Sequence, residues 1–224
     1  MLNDKRIRII TGHYGSGKTE FSLNYAIKLA ELNKKVALCD LDVVNLYFRS
    51  REKEDLLNEK GIRVIASSMR GNAVDIPAIS SEVLAPIEDK SYDAVFDVGG
   101  DPAGARTLGR YNPYLKEGDY DMFIVVNANR PETMTKEKVI EYIVKIEDTS
   151  RLKVTGLINN THMLKQTQAS DILKGYELVN EVSLATGLDI KYNVCLETLK
   201  ESLPTNLKGE IFPIKLYMRE EWMI

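Results

Sequence analysis

Residues 12–19 read Gly-His-Tyr-Gly-Ser-Gly-Lys-Thr, and no other stretch limits so tightly what this chain can fold into. The string satisfies G-x-x-x-x-G-K-[ST]. Its glycines let consecutive backbone N–H groups turn toward one anion, and a new helix adds its positive end. Such a loop works between a strand and a helix, and both patterns flank it. Ile7, Ile9 and Ile10 run in; Phe21, Leu23, Tyr25, Ala26 and Leu29 run out as a broad apolar stripe. A chance match in a chain this long occurs on the order of once in a hundred, and the flanking pattern lowers that further. The expected phosphate-contacting residues are therefore Gly12, His13, Tyr14, Gly15, Ser16, Gly17, Lys18, Thr19 and Glu20. Lys18 is expected to reach the β- and γ-phosphates, and the Thr19 hydroxyl to ligate Mg²⁺.

Beyond the loop, short apolar runs alternate with longer amphipathic segments, the pattern of βαβ units around a parallel sheet. Strands are expected over 8–11, 35–39, 63–66, 94–98, 122–127, 154–159 and 190–194, and helices over 18–32, 78–87, 135–146 and 169–186. Several strands are near-continuous Val/Ile/Phe runs, as expected where helices cover both faces. Asn33 is placed to cap the first helix at its C-terminal end. The expected architecture is a three-layer α/β P-loop fold, with a mostly parallel sheet between helices. At 224 residues without a repeat or composition break, one domain spanning 1–224 is the simplest account.

Two further strands end in acids: Asp40-Leu41-Asp42 follows one, and Asp97-Val98-Gly99-Gly100 closes another. Ligands of parallel α/β sheets sit beyond the carboxyl ends of the strands, so these acids should face the loop. Mg²⁺ keeps much of its water and takes one or two carboxylates, which makes Asp40 and Asp97 candidate metal residues with Thr19. Asp42 is the better candidate for orienting an attacking water, with Lys18 as the other catalytic residue. Gly100 would offer a backbone N–H to the γ-phosphate. Each acid alone reads equally well as a helix N-cap or turn residue; it is their combination with the loop that points to chemistry.

Together these residues resemble the MinD/ParA-like P-loop ATPases, grouped with CobQ/CobB nucleotide-binding domains. The likeness rests on residues 12–19, on Asp40-Leu41-Asp42-Val43-Val44-Asn45 as a first switch, and on Asp97-Val98-Gly99-Gly100-Asp101 as a second. A fourth piece, Gly156-Leu157-Ile158-Asn159-Asn160, ends where that family reads the adenine base. The likeness covers nearly the whole chain in the expected order. It implies ATP with Mg²⁺ and a homodimer formed across the nucleotide face, with Asn160, then Asn159, as base-reading residue. The GTP signature N-K-x-D is absent, because Thr161, His162 and Met163 follow Asn160. One position departs from the family: many members carry a second lysine where this chain has His13, which is only fractionally charged near neutrality. Arg49, Arg51 and Arg106, near the switches, are alternative cations, although solvated surface positions are the simpler reading.

The remaining features mostly exclude. A net charge of −3, with basic and acidic residues interleaved, argues against a nucleic-acid surface. No run approaches the length of a membrane span, and the start does not read as a signal peptide, so a cytoplasmic location is the default. Pro213 and the Glu220-Glu221 pair argue against a membrane-targeting C-terminal helix. Cys39 and Cys195 stand far apart and support no metal site. The expectation is an ATPase of slow basal turnover that switches on an unknown protein partner. The alternative is an ATP-dependent small-molecule enzyme, kinase- or ligase-like, with 48–71 and 103–116 as the segments roomy enough for a substrate pocket.

Overall fold

A computed structural model describes residues 1, 3–42, 53–66 and 81–218. The expected helix residues 78–80, the switch residues 43–45, Arg49 and Arg51 lie outside these. The described chain opens with β1 (Ile7–Thr11), α1 (Lys18–Glu31), β2 (Val36–Leu41), α2 (Glu54–Glu59) and β3 (Arg63–Ala66). It continues with α3 (Ser81–Glu88), β4 (Asp93–Val98), α4 (Pro102–Gly109), β5 (Tyr120–Val126) and α5 (Lys136–Ser150). β6 (Gly156–Asn159), α6 (Ala169–Thr186), β7 (Asp189–Leu196) and β8 (Glu210–Ile214) complete it.

All eight strands pair in parallel, in the order β3-β2-β4-β1-β5-β6-β7-β8. Alternation along the strands feeds two cores. Ile7 and Ile9 face the layer that holds Val83 of α3, Leu108 of α4, Val139 of α5 and Val179 of α6. Ile10 faces the other layer, with Phe21 and Leu29 of α1, Leu57 of α2, and Phe212 of β8. This is the expected three-layer α/β fold, with helices on both faces of the sheet.

Three elements were not expected, α2, α4 and β8, and β2 runs further than expected. α4 contains two glycines and a leading proline, so its propensity for helix is poor. Its N-terminus is built instead: the Asp101 side chain accepts from Ala103 N at 2.7 Å and Gly104 N at 2.9 Å, and Pro102 stands in the first turn. β8 carries Pro213, which an edge strand tolerates because one row of its backbone groups needs no partner. β2 runs to Leu41, so Asp40 is a strand residue paired in register with Asp97. Asn33, at φ 59, takes the left-handed position just after α1, as its type allows. Among the described residues no helix is long and apolar enough to cross a membrane.

Candidate functional site

β1 lies between β4 and β5, with β2 beyond β4, so the carboxyl ends of these central strands surround the loop that follows β1. α1 begins after Gly17, whose φ of 82 lets the chain turn into the helix with no side-chain cap. That leaves the first N–H groups of α1 for an anion. Three side chains hold the loop by its carbonyls. Asn127 Nδ2 and Arg130 Nε donate to Gly15 O at 3.4 and 3.1 Å, and Asn160 Nδ2 donates to Ser16 O at 2.7 Å. The amide between those two carbonyls, Ser16 N, donates to His13 O at 3.0 Å and closes the turn.

Behind the loop stands a buried charge cluster. Lys18 Nζ pairs with Asp42 Oδ2 at 2.9 Å, both side chains nearly sealed from solvent. Asp42 N donates to Asp40 Oδ1 at 3.1 Å. The Thr19 hydroxyl hydrogen-bonds Asp97, which has no exposed surface. Burial pushes the Asp97 carboxyl up to about 7; Lys18 opposes that shift, and Asp40 and Asp42 add to it. Burial also works against the Lys18 ammonium, but Asp97, Asp42 and Asp101 outweigh it and hold its pKa above the ordinary lysine value. Three buried carboxylates around one ammonium leave a local excess of negative charge. A hard divalent cation answers that excess, and carboxylate and hydroxyl oxygens are the donors it takes. Among the described residues, no group of three or more His, Cys, Asp or Glu side chains is gathered tightly enough to hold a metal unaided. The site thus suits a cation that arrives with phosphate and water.

In front of the loop opens a cavity of ≈ 310 Å³, at the small end of the range of ligand pockets. Lys18, Thr19, Asn160 and His162 line it together with the apolar Val194, Cys195, Leu216 and Met218. Asp40, Asp42 and Asp97 do not line this cavity. The Cys195 thiol is pushed up to about 11 by burial and meets the cavity as a neutral group.

Several expected residues take other parts. Asn159 is fully buried, its amide donating to Ile172 O and Asn193 Oδ1 and accepting from Thr161 N, so it is withdrawn from the base-reading position. Asn160 alone of the two faces the cavity. Glu20 lines the cavity too, but its carboxylate accepts from Tyr217 N at 2.6 Å and Met218 N at 3.1 Å. Its side chain thereby ties α1 to the C-terminal segment. His13 packs its ring 5.8 Å from that of Tyr142, and Tyr142 Oη donates to Gly100 O at 3.0 Å. Gly100 lies so close to the loop that a Cβ on it would meet Gly12 O at 1.9 Å. Arg106 is exposed on α4. Within the expected pocket segment 103–116, α4 packs Ala105 and Leu108 into the core. Arg130 escaped the sequence reading: its place beside the loop depends on β5 neighbouring β1, which no local pattern reveals.

The family profile for the CobQ/CobB/MinD/ParA nucleotide-binding domain matches residues 7–191. The chain belongs to this family. Membership of the CobQ/CobB/MinD/ParA group agrees with the phosphate loop at the carboxyl edge of the sheet. Among solved structures, the chain is similar to FtsY from Mycoplasma mycoides, at 18% identity and TM-score 0.54, covering 84% of this chain and 59% of that one. The cell division protein FtsY of Thermotoga maritima matches at 19% identity and TM-score 0.52, over 84% and 61%. A nucleotide-binding protein from Archaeoglobus fulgidus, solved with ADP, matches at 14% identity and TM-score 0.51, over 93% and 82%. The chain spans about three fifths of the length of the FtsY chains, and at these identities the likeness is one of fold. No curated protein matches the chain.

Proposed function

We propose that this chain, as one domain, is a Mg²⁺-dependent ATPase whose nucleotide state switches a homodimer that acts on a protein partner. The observation that carries the reading is the buried Lys18–Asp42 pair at 2.9 Å. The cation that the motif dedicates to β- and γ-phosphates is held by an acid of the first switch, Asp42. Phosphate competes for Lys18, so nucleotide arrival releases Asp42. Buried pairs are costly to leave half-made, which makes the exchange two-state. Freed, Asp42 orients the water that attacks the γ-phosphorus. The new P–O bond forms as the bond to the β-bridging oxygen breaks with its electron pair on the diphosphate, and the water's proton leaves to phosphate or solvent. Thr19, Asp97 and Asp40 would hold Mg²⁺, which would supply neutralisation of phosphate charge. Adenine is favoured by the absent N-K-x-D and by the ADP bound in the Archaeoglobus relative.

The test is hydrolysis of ATP and GTP with Mg²⁺ by wild type, Lys18→Ala and Asp42→Ala, with each protein sized with and without a non-hydrolysable ATP analogue. Slow ATP turnover lost in both variants, together with an analogue-induced dimer, is the expected result. Tight ATP binding with neither turnover nor change of size rules the switch out.

A further inference from the structure

Lys18 is the cation that the loop motif supplies, and acids surround it. Asp42 pairs with it directly, and Asp97 and Asp101 act on it through space. Phosphoryl transfer spreads negative charge over the γ-phosphoryl oxygens, and catalysis consists largely of positioned donors that meet this charge. Among the described residues lining the cavity there is one other permanent cation, Arg130.

Its placement follows from the sheet. β5 is hydrogen-bonded to β1, so the turn after β5 is delivered beside the phosphate loop. The turn is well tied: Arg130 N donates to Asn127 O at 3.1 Å, Thr133 N to Arg130 O at 3.0 Å, and Thr133 Oγ1 to Asn127 O at 2.7 Å. Arg130 Nε donates to Gly15 O at 3.1 Å. A Cβ added at Gly15 would lie 2.9 Å from Nε, 3.1 Å from Cζ and 3.3 Å from Nη2, so the guanidinium rests directly on the loop backbone where glycine leaves room. With Nε committed, the fork is fixed in direction. Its terminal nitrogens make no hydrogen bond or ion pair with the described residues.

We propose that Arg130 is a catalytic arginine supplied in cis, donating its terminal N–H groups to the nucleotide's phosphate oxygens and neutralising the charge that grows on the γ-phosphoryl group. A planar fork held by one nitrogen is preorganised for two phosphate oxygens in a way that an ammonium is not. The proposal rests on the ATPase reading above. The bond changes are those of hydrolysis, and Arg130 gives up no proton in them.

Single-turnover hydrolysis with Mg²⁺ and ATP, and affinity for ADP and a non-hydrolysable ATP analogue, are measured for wild type, Arg130→Ala and Arg130→Lys. Arg130 is exposed, so thermal melts of the variants should overlay wild type. Arg130→Ala is expected to lose about 10²–10³-fold in hydrolysis rate, a loss well beyond its loss of affinity for either nucleotide. Arg130→Lys recovers only a minor part of the rate. A rate in Arg130→Ala equal to wild type overturns the proposal. So does a rate loss matched by an equal loss of affinity for ADP, which is the mark of a loop brace alone. Wild type that binds ATP without hydrolysing it overturns the ATPase reading and this proposal together; the variant results separate the two in every other case.

Discussion

Asp97 is the residue whose charge the fold least accommodates. It is fully buried between Asp40 and the Lys18–Asp42 pair, and burial raises its carboxyl to about 7 from an ordinary value of 3.8. The folded chain therefore binds a proton there that the unfolded chain releases over the same range. By linkage, the stability this group contributes is fully present below about pH 4 and is lost progressively as pH rises through about 7. The slope is at most about 1.4 kcal/mol per pH unit for one proton. Urea denaturation in EDTA at pH 5, 6 and 7 should show wild type losing stability relative to Asp97→Asn across that window. Saturating Mg²⁺ and ATP should flatten the difference, because a bound cation favours the carboxylate. Parallel curves for the two proteins would rule the account out.

At the scale of elements, α4 shows how a short helix with weak intrinsic propensity is made by its ends and its neighbours. Asp101 satisfies two of its free N–H groups, and Gly104 lets its backbone settle against the Gly99 turn. A Cβ on Gly104 would stand 2.2 Å from Gly99 O, an atom of backbone that cannot rotate away. Gly104→Ala is expected to cost about 1–3 kcal/mol as an overpacked contact. Asp101→Ala is expected to cost about 1 kcal/mol as a lost cap. Only the glycine variant should also weaken nucleotide binding, because it displaces the turn that carries Gly100 onto the loop. Chemical denaturation and analogue binding on both variants check this; equal nucleotide affinity would show that α4 and the loop move independently. The same element marks where sequence reading stopped. β1, the loop and α1 were legible because a spaced motif and two apolar periods agree there. The acids at 40, 42 and 97 were legible because parallel strands deliver their ends to one edge. α4 and β8 were not, since capping by Asp101 and an edge position for Pro213 are properties of the assembled sheet. Family resemblance ranked Asn160 ahead of Asn159, but only the structure separates them, as adjacent residues at a strand end differ in which way each points. Arg130 required the strand order itself.

Across the whole molecule, the first turns of α1 join the phosphate end of the cavity to its apolar end. Glu20 and Asn24 stand four residues apart, on one face of the helix. Asn24 exchanges two hydrogen bonds of 2.9 Å with Lys215, and Glu20 receives the amides of Tyr217 and Met218. The segment after β8 is thereby strapped over the cavity, with Leu216 and Met218 in its wall and Glu20 next in sequence to Thr19. Removing the carboxylate leaves two strap amides without their acceptor, at a cost of about 1–3 kcal/mol. Glu20→Ala should therefore lose stability in that range and bind ATP several-fold more weakly, because the wall that would pack the base is loosened. Inorganic tripolyphosphate, which has no base to pack, should bind both proteins alike. Calorimetric titration of the two ligands separates the possibilities. An equal loss for tripolyphosphate would mean that Glu20 supports the phosphate loop itself, and the strap would then have no part in holding the nucleotide.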